Sequence, residues 1–244
     1  MLSLQKRILL VICVLLFNIT SYSQEDPYNV LFIAVDDLND YLGFMGGNPQ
    51  AITPNFDRLA SESVIFTNAQ CPAPKCAPSR NALLSGVYPH EHYVPVPMHF
   101  RDVPELENRI ALPQHFNDNG YKTMSIGKIF HQWNGAGADY PYSWDVLKTL
   151  EGDLTGYLNS GLDVLPADSS MLFNDACLNA QNYTIPAVGP IHVTTEDYVD
   201  TKSAEWAGAR LQNYYVNPFF LSVGFLKPHI PYYAPKEWFD FCLL

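Results

Sequence analysis

The sequence predicts an α/β protein built on a mostly parallel central sheet, and three observations carry that expectation. Val30-Leu31-Phe32-Ile33-Ala34-Val35 and the run from Phe219 to Phe225 are continuous apolar segments of strand length, the pattern of strands buried on both faces of a parallel sheet. Segments with helical spacing and their own start and stop signals lie between them. Polar clusters follow the strands at once: Asp36-Asp37, then Gly127-Lys128 with His131, then Lys227-Pro228-His229. Open α/β sheets gather their ligands at that end of the strands.

Taken in order, the chain opens on Lys6 and Arg7, an apolar run from Ile8 to Phe17, and polar residues to Gln24 with Ser21 and Ser23 before a cut. That is the layout of a secretory signal peptide over residues 1–23, leaving one domain over 24–244. The apolar run is about half of the roughly 20 residues that a membrane span requires. Cys13 has no Gly or Ala before it, which argues against a lipid-anchored start. No later stretch is long and apolar enough to span, so an exported, periplasmic or extracellular location is expected.

Thr53-Pro54 reads as a cap and first helical residue, with Phe56, Leu59 and Ala60 at helical spacing to about Ser61. Val64-Ile65-Phe66 reads as a short strand. Pro72 and Pro74 force an irregular approach to Cys76, and the next helix is expected from Pro78 to Gly86. Leu112-Pro113 opens a helix closed by Asn119-Gly120, and Tyr121 to Ile126 is a strand. Residues 132–190 read as a loop-rich insertion over one sheet end. Thr194 or Thr195 is expected to cap a helix to about Tyr214, with Val199, Ala204, Ala207 and Leu211 facing inward, before Asn217-Pro218 breaks it.

The formal charge is −11, and it becomes more negative once Lys6 and Arg7 are removed. Such a surface repels nucleic acid, so a polyanionic substrate must be held by a local basic site. The cysteines beyond the leader are Cys71, Cys76, Cys177 and Cys242. An even count in an exported chain allows two disulfides, but the spacing fits no recognisable framework.

Taken singly, a lysine after a strand is solvated and a loop histidine is idle. Taken together, the clusters supply carboxylates for a hard cation, a cysteine at a helix N-terminus that favours anions, and several cations and imidazoles. These are the parts for hydrolysing a tetrahedral anionic ester. A thiolate hydrolase is a competing reading, against which stands the expectation that the Asp pair raises the Cys76 pKa.

Cys76-Ala77-Pro78-Ser79-Arg80, with Leu84 and Gly86, resembles the signature of the sulfatases, whose cysteine in a C-x-P-S-R setting is oxidised to formylglycine. Ser85 stands where many relatives carry threonine. Val35-Asp36-Asp37, Thr53 to Ala60, Gly127-Lys128-Ile129-Phe130-His131 and Lys227-Pro228-His229-Ile230-Pro231 are most similar to the iduronate-2-sulfatase branch. The resemblance implies an alkaline phosphatase-like three-layer sandwich and a sulfuric ester hydrolase acting on a sulfated glycan. It implies a Ca²⁺ ion held by Asp36, Asp37 and the modified Cys76, whose hydrated aldehyde attacks sulfur. Arg80 is then expected to hold the modified side chain, and Lys128 and His229 to bind sulfate oxygens. His229 is also expected to protonate the leaving oxygen, His131 to assist at residue 76, and Lys227 to bind substrate or only shape the turn. The partners implied are a sulfated carbohydrate and a formylglycine-generating or sulfatase-maturating enzyme.

Relatives complete the metal site from a later strand, with an Asp followed by His or Asn and a further Lys. The chain given ends at Leu244, soon after Trp238-Phe239-Asp240, so it reads as the N-terminal, catalytic part of a C-terminally truncated sulfatase domain. Two alternatives stand beside an active sulfatase: an inactive fragment lacking the later metal ligands, and a phosphatase or phosphodiesterase of the same superfamily. The oxidisable Cys76 counts against the second.

Overall fold

The computed structural model describes residues 27–92, 99–132, 135–150, 188–191, 194–229 and 232–241. The leader, Cys177, Cys242 and most of the 132–190 insertion lie outside the described residues. The central sheet has four parallel strands in the order β1–β5–β2–β3. Its strands are β1 (Val30–Val35), β2 (Lys122–Gly127), β3 (Val146–Lys148) and β5 (Phe219–Phe225), while β4 (Val188–Ile191) and β6 (Tyr232–Pro235) pair in a second, parallel two-stranded sheet.

Helices cover both faces of the central sheet. The helices are α1 (Pro54–Ser61), α2 (Cys76–Ser85), α3 (Leu112–Asp118), α4 (Val199–Leu211) and α5 (Lys236–Phe241). Alternation along β5 divides the core in two. Phe220 joins Leu84, Phe100, Phe130 and Trp144 beside α2 and α3, whereas Leu221 and Val223 join Met124, Ile126, Val199 and Ala207 beside α4. The first layer is aromatic: Phe220 stacks on Phe116 at 4.2 Å between ring centroids and on Phe32 at 6.3 Å.

Several sequence expectations are corrected. Among the described residues β1 is an edge strand, of which Val30, Phe32 and Ala34 pack on the core, while Leu31 is 44% and Ile33 49% exposed. An unbroken apolar run therefore marks a strand without marking cover on both faces. Val64-Ile65-Phe66 is exposed and forms no strand; among the described residues no strand pairs with its backbone. β3 was hidden by its length of three residues. In α4 the inner face is Val199, Ser203 and Ala207, while Ala204 and Leu211 are exposed. Thr53 does not cap α1 with its side chain. Its Oγ1 instead donates to Asp57 at 3.1 Å and accepts the Gly43 N–H at 2.8 Å.

Candidate active site

The strand ends deliver the polar clusters to one place. Lys75 is the N-cap of α2 and Cys76 its first residue, so the helix begins two residues before the expected Pro78. The cysteine thus lies at the helix terminus itself, where unpaired N–H groups and the dipole favour negative charge. Asp36 follows β1, its N–H donating to the Phe225 carbonyl at 3.1 Å. Asp37 then takes the left-handed conformation with φ 56°, which turns the chain sharply at the sheet end.

Lys128 is placed by two glycines. Gly127 has φ +74°, and a Cβ there would lie 2.0 Å from the Gly224 carbonyl oxygen. A Cβ on Gly224 would lie 2.2 Å from the Lys128 carbonyl. Only glycine at both positions lets β2 and β5 end so closely, with the Lys128 N–H donating to Gly224 O at 3.0 Å.

Buried Asp36 is the electrostatic hub. Arg80 donates to its Oδ1 at 2.7 Å, and the Lys128 ammonium donates to its Oδ2. Burial pushes the Asp36 pKa up, but the hydrogen bonds and charges of Arg80 and Lys128 outweigh it and hold the carboxyl below its ordinary range. Arg80 also donates to the carbonyls of Lys128 at 2.5 Å and Ile129 at 2.9 Å. It therefore ties α2 to both strand ends.

Half-buried Cys76 is influenced first by the His131 imidazole and then by that of His229, each of which favours its thiolate. These effects, with the charge of Lys128, overcome the opposing effect of burial and lower its pKa to about 5. The expected upward push from the Asp pair is thus overturned: the imidazoles have the larger effect, and Asp36 already pairs with two cations. Ligand atoms of Asp36, Asp37 and His229 all lie within 4.8 Å of one another. The two carboxylates suit a hard divalent cation that completes its shell with other oxygens, whereas the imidazole is a softer donor. Cys76 does not belong to that trio. A cleft of about 520 Å³ opens here, lined by Asp36, Asp37, Cys71, Cys76, Ser79 and Arg80. Cys71 and Cys76 are both free thiols.

Lys227 sits on a neighbouring cleft of about 600 Å³ with Asp200, Tyr232 and Trp238. Burial lowers its pKa to about 8, and its Nζ donates to the His229 carbonyl at 2.9 Å. It thus braces the turn, as one of its two expected roles required. Sequence reasoning missed Asp200, whose carboxylate accepts the N–H groups of Leu226 at 2.8 Å and Lys227 at 2.9 Å. An acid in the first turn of a helix reads as a dipole partner, and nothing local pointed 26 residues ahead.

Residues 28–240 match the family profile described as Sulfatase. A sulfatase of Formosa agariphila is 33% identical over 89% of this chain and 42% of its own length. Human iduronate 2-sulfatase is 35% identical over 93% of this chain and 40% of its own. Among solved structures, a 2-O GAG sulfatase superposes with a TM-score of 0.51 at 27% identity, covering 84% of this chain and 36% of that one. The parallel sheet with helices on both faces is the alkaline phosphatase-like architecture of these neighbours. The chain spans about two-fifths of the length of the curated relatives it matches.

Proposed function

The chain belongs to the sulfatase family, and on that premise we propose that it carries the nucleophile-bearing part of a sulfuric ester hydrolase acting on sulfated carbohydrate, exported and matured at Cys76. The observation that carries this reading is the meeting of Cys76 with His131, His229 and the Asp36–Asp37 pair at the carboxyl ends of β1, β2 and β5. Similarity to human iduronate 2-sulfatase and to a 2-O GAG sulfatase supports a glycosaminoglycan-like substrate.

Formylglycine formed from Cys76 would supply, as its hydrate, the geminal diol that an ordinary serine or cysteine lacks. Asp36 and Asp37, with His229 beside them, would hold a Ca²⁺ ion whose charge would stand against the sulfate oxygens. The remaining work falls to this chain's own residues. The α2 N-terminus and the Lys128 ammonium attract and orient the sulfate group. His131 holds the proton of the nucleophile at residue 76, and His229 delivers one to the departing oxygen. Arg80 keeps Asp36 ionised and α2 in register with both strands.

A second reading, that this chain alone turns nothing over, is favoured by one observation: three side-chain ligands are fewer than the six to eight oxygens that calcium takes. Co-expression with a sulfatase-maturating enzyme, mass analysis of the peptide containing residue 76, and sulfate release from sulfated disaccharides test both. Aldehyde formation with sulfate release establishes the first reading. Aldehyde without turnover establishes the second. Turnover with an unmodified thiol overturns the formylglycine mechanism.

A further inference from the structure

We infer that Asp200 is a positioning residue for this site: by accepting the backbone N–H groups of Leu226 and Lys227, it fixes the turn that aims His229 at Asp36, Asp37 and Cys76. The inference rests on the reading of the site above.

β5 ends at Phe225, whose carbonyl still accepts from Asp36. The next two N–H groups leave the ladder at a point where Leu226 is buried. Buried donors need partners, and the two oxygens of Asp200 supply one each, at 2.8 and 2.9 Å. The turn then closes on itself through His229 N–H to Leu226 O at 3.1 Å, and Lys227 Nζ bonds the His229 carbonyl. The imidazole that reaches the carboxylate pair and Cys76 therefore hangs from a turn whose outer side is clamped by one carboxylate.

That carboxylate comes from α4, which packs on β5 and β2 through Val199 and Ala207. The clamp is thus anchored to the sheet rather than to another loop. Asp200 touches none of the reacting groups, so its effect is transmitted through His229. Partners that hydrogen-bond a ligating histidine's ring commonly change metal affinity by 10- to 100-fold; Asp200 acts through the backbone that carries His229, so the lower end of that range is expected.

The test uses the full chain expressed without a maturating enzyme, so that residue 76 remains a thiol. Asp200→Asn is expected to weaken calcium binding by about 10-fold in calorimetry and to slow iodoacetamide alkylation of Cys76 severalfold at neutral pH. In a His229→Ala background the same substitution adds less than about twofold to either readout, because its effect passes through that ring. Parent-like behaviour of Asp200→Asn, or an undiminished loss in the His229→Ala background, overturns the inference.

Hydrogen exchange on the unsubstituted chain is independent of whether the variants fold. The Leu226 and Lys227 amides are expected to exchange as slowly as those inside β5, and rapid exchange overturns the clamp. If His229→Ala binds calcium like the parent, His229 is no ligand and the calcium readout no longer bears on Asp200. The alkylation cycle, which needs the histidine beside the sulfur but no metal, then decides Asp200 separately.

Discussion

Cys76 is a half-buried thiol facing two imidazoles and a buried ammonium. Its pKa of about 5 means that the reactive thiolate fraction rises with pH and is already dominant well below neutrality. The alkylation rate of the Cys76 peptide, followed by mass spectrometry, is therefore expected to climb through a midpoint near 5 and then level off. His131→Ala removes the largest cause, so its midpoint moves up by more than one pH unit; a parent midpoint in the ordinary thiol range refutes this account of the site. Asp36 carries a second expectation. Its single negative charge is shared between Arg80 and Lys128, whose side chains are only 9% and 4% exposed. Asp36→Asn leaves both charges buried around a neutral amide, at a cost of about 3 kcal/mol in urea unfolding. The sign with pH follows from a folded pKa held below its ordinary value of 3.8. The increment is present above that value and is lost as pH falls through the folded pKa, so the variant shows a flatter acid limb. Most residues of the site were legible in the sequence because each follows an apolar run or opens a helix. Asp200 was not, since its role is a contact with remote backbone, and the pairing of Arg80 with Asp36 was not, since only the fold sets 44 residues of separation to zero.

At the scale of elements, β1 and β5 were readable to the residue, because apolar runs bounded by polar clusters leave little freedom. β3 and the absent strand at Val64–Phe66 show the opposite. A run of three residues is too short to carry a period, and whether it pairs depends on neighbours that local sequence does not encode. The glycines at the strand ends are a tertiary requirement of the same kind. Gly224→Ala places a methyl 2.2 Å from the Lys128 carbonyl, and backbone on both sides must part. The expected loss is about 2 kcal/mol or more, together with displacement of Lys128 from Asp36. Gly208 is the control, since a Cβ there meets nothing within 4 Å. In the interior of α4, Gly208→Ala gains about 0.5–1 kcal/mol. Urea midpoints that move together in the two variants, in either direction, contradict the assigned role of the close approach.

At the scale of the whole molecule, one subset of the exposed apolar residues falls on neighbouring segments of the N-terminal part. Leu31 and Ile33 mark the outer face of the edge strand, Val64, Ile65 and Phe66 run unpaired, and Phe56 and Leu59 project from α1. A cleft of about 610 Å³ between α1 and the 38–45 segment is lined by Leu38, Leu42, Phe44, Phe56, Leu59 and Ile65. Among the described residues β1 is an end strand of the sheet, with no strand paired on its outer side. An unpaired, apolar edge strand is a template for association with another chain. The chain by itself is therefore expected to self-associate, with a sedimentation coefficient that rises with concentration. Ile33→Lys places a charge on that edge where the side chain is already half exposed, so it abolishes the concentration dependence while the urea midpoint stays within about 0.5 kcal/mol of the parent. Ile126→Lys is the contrasting change: Ile126 is fully buried on β2, and a lysine there unfolds the chain rather than dispersing it. A parent that sediments as a monomer at every concentration, or an Ile33→Lys variant that associates as strongly, rejects β1 as the adhesive edge.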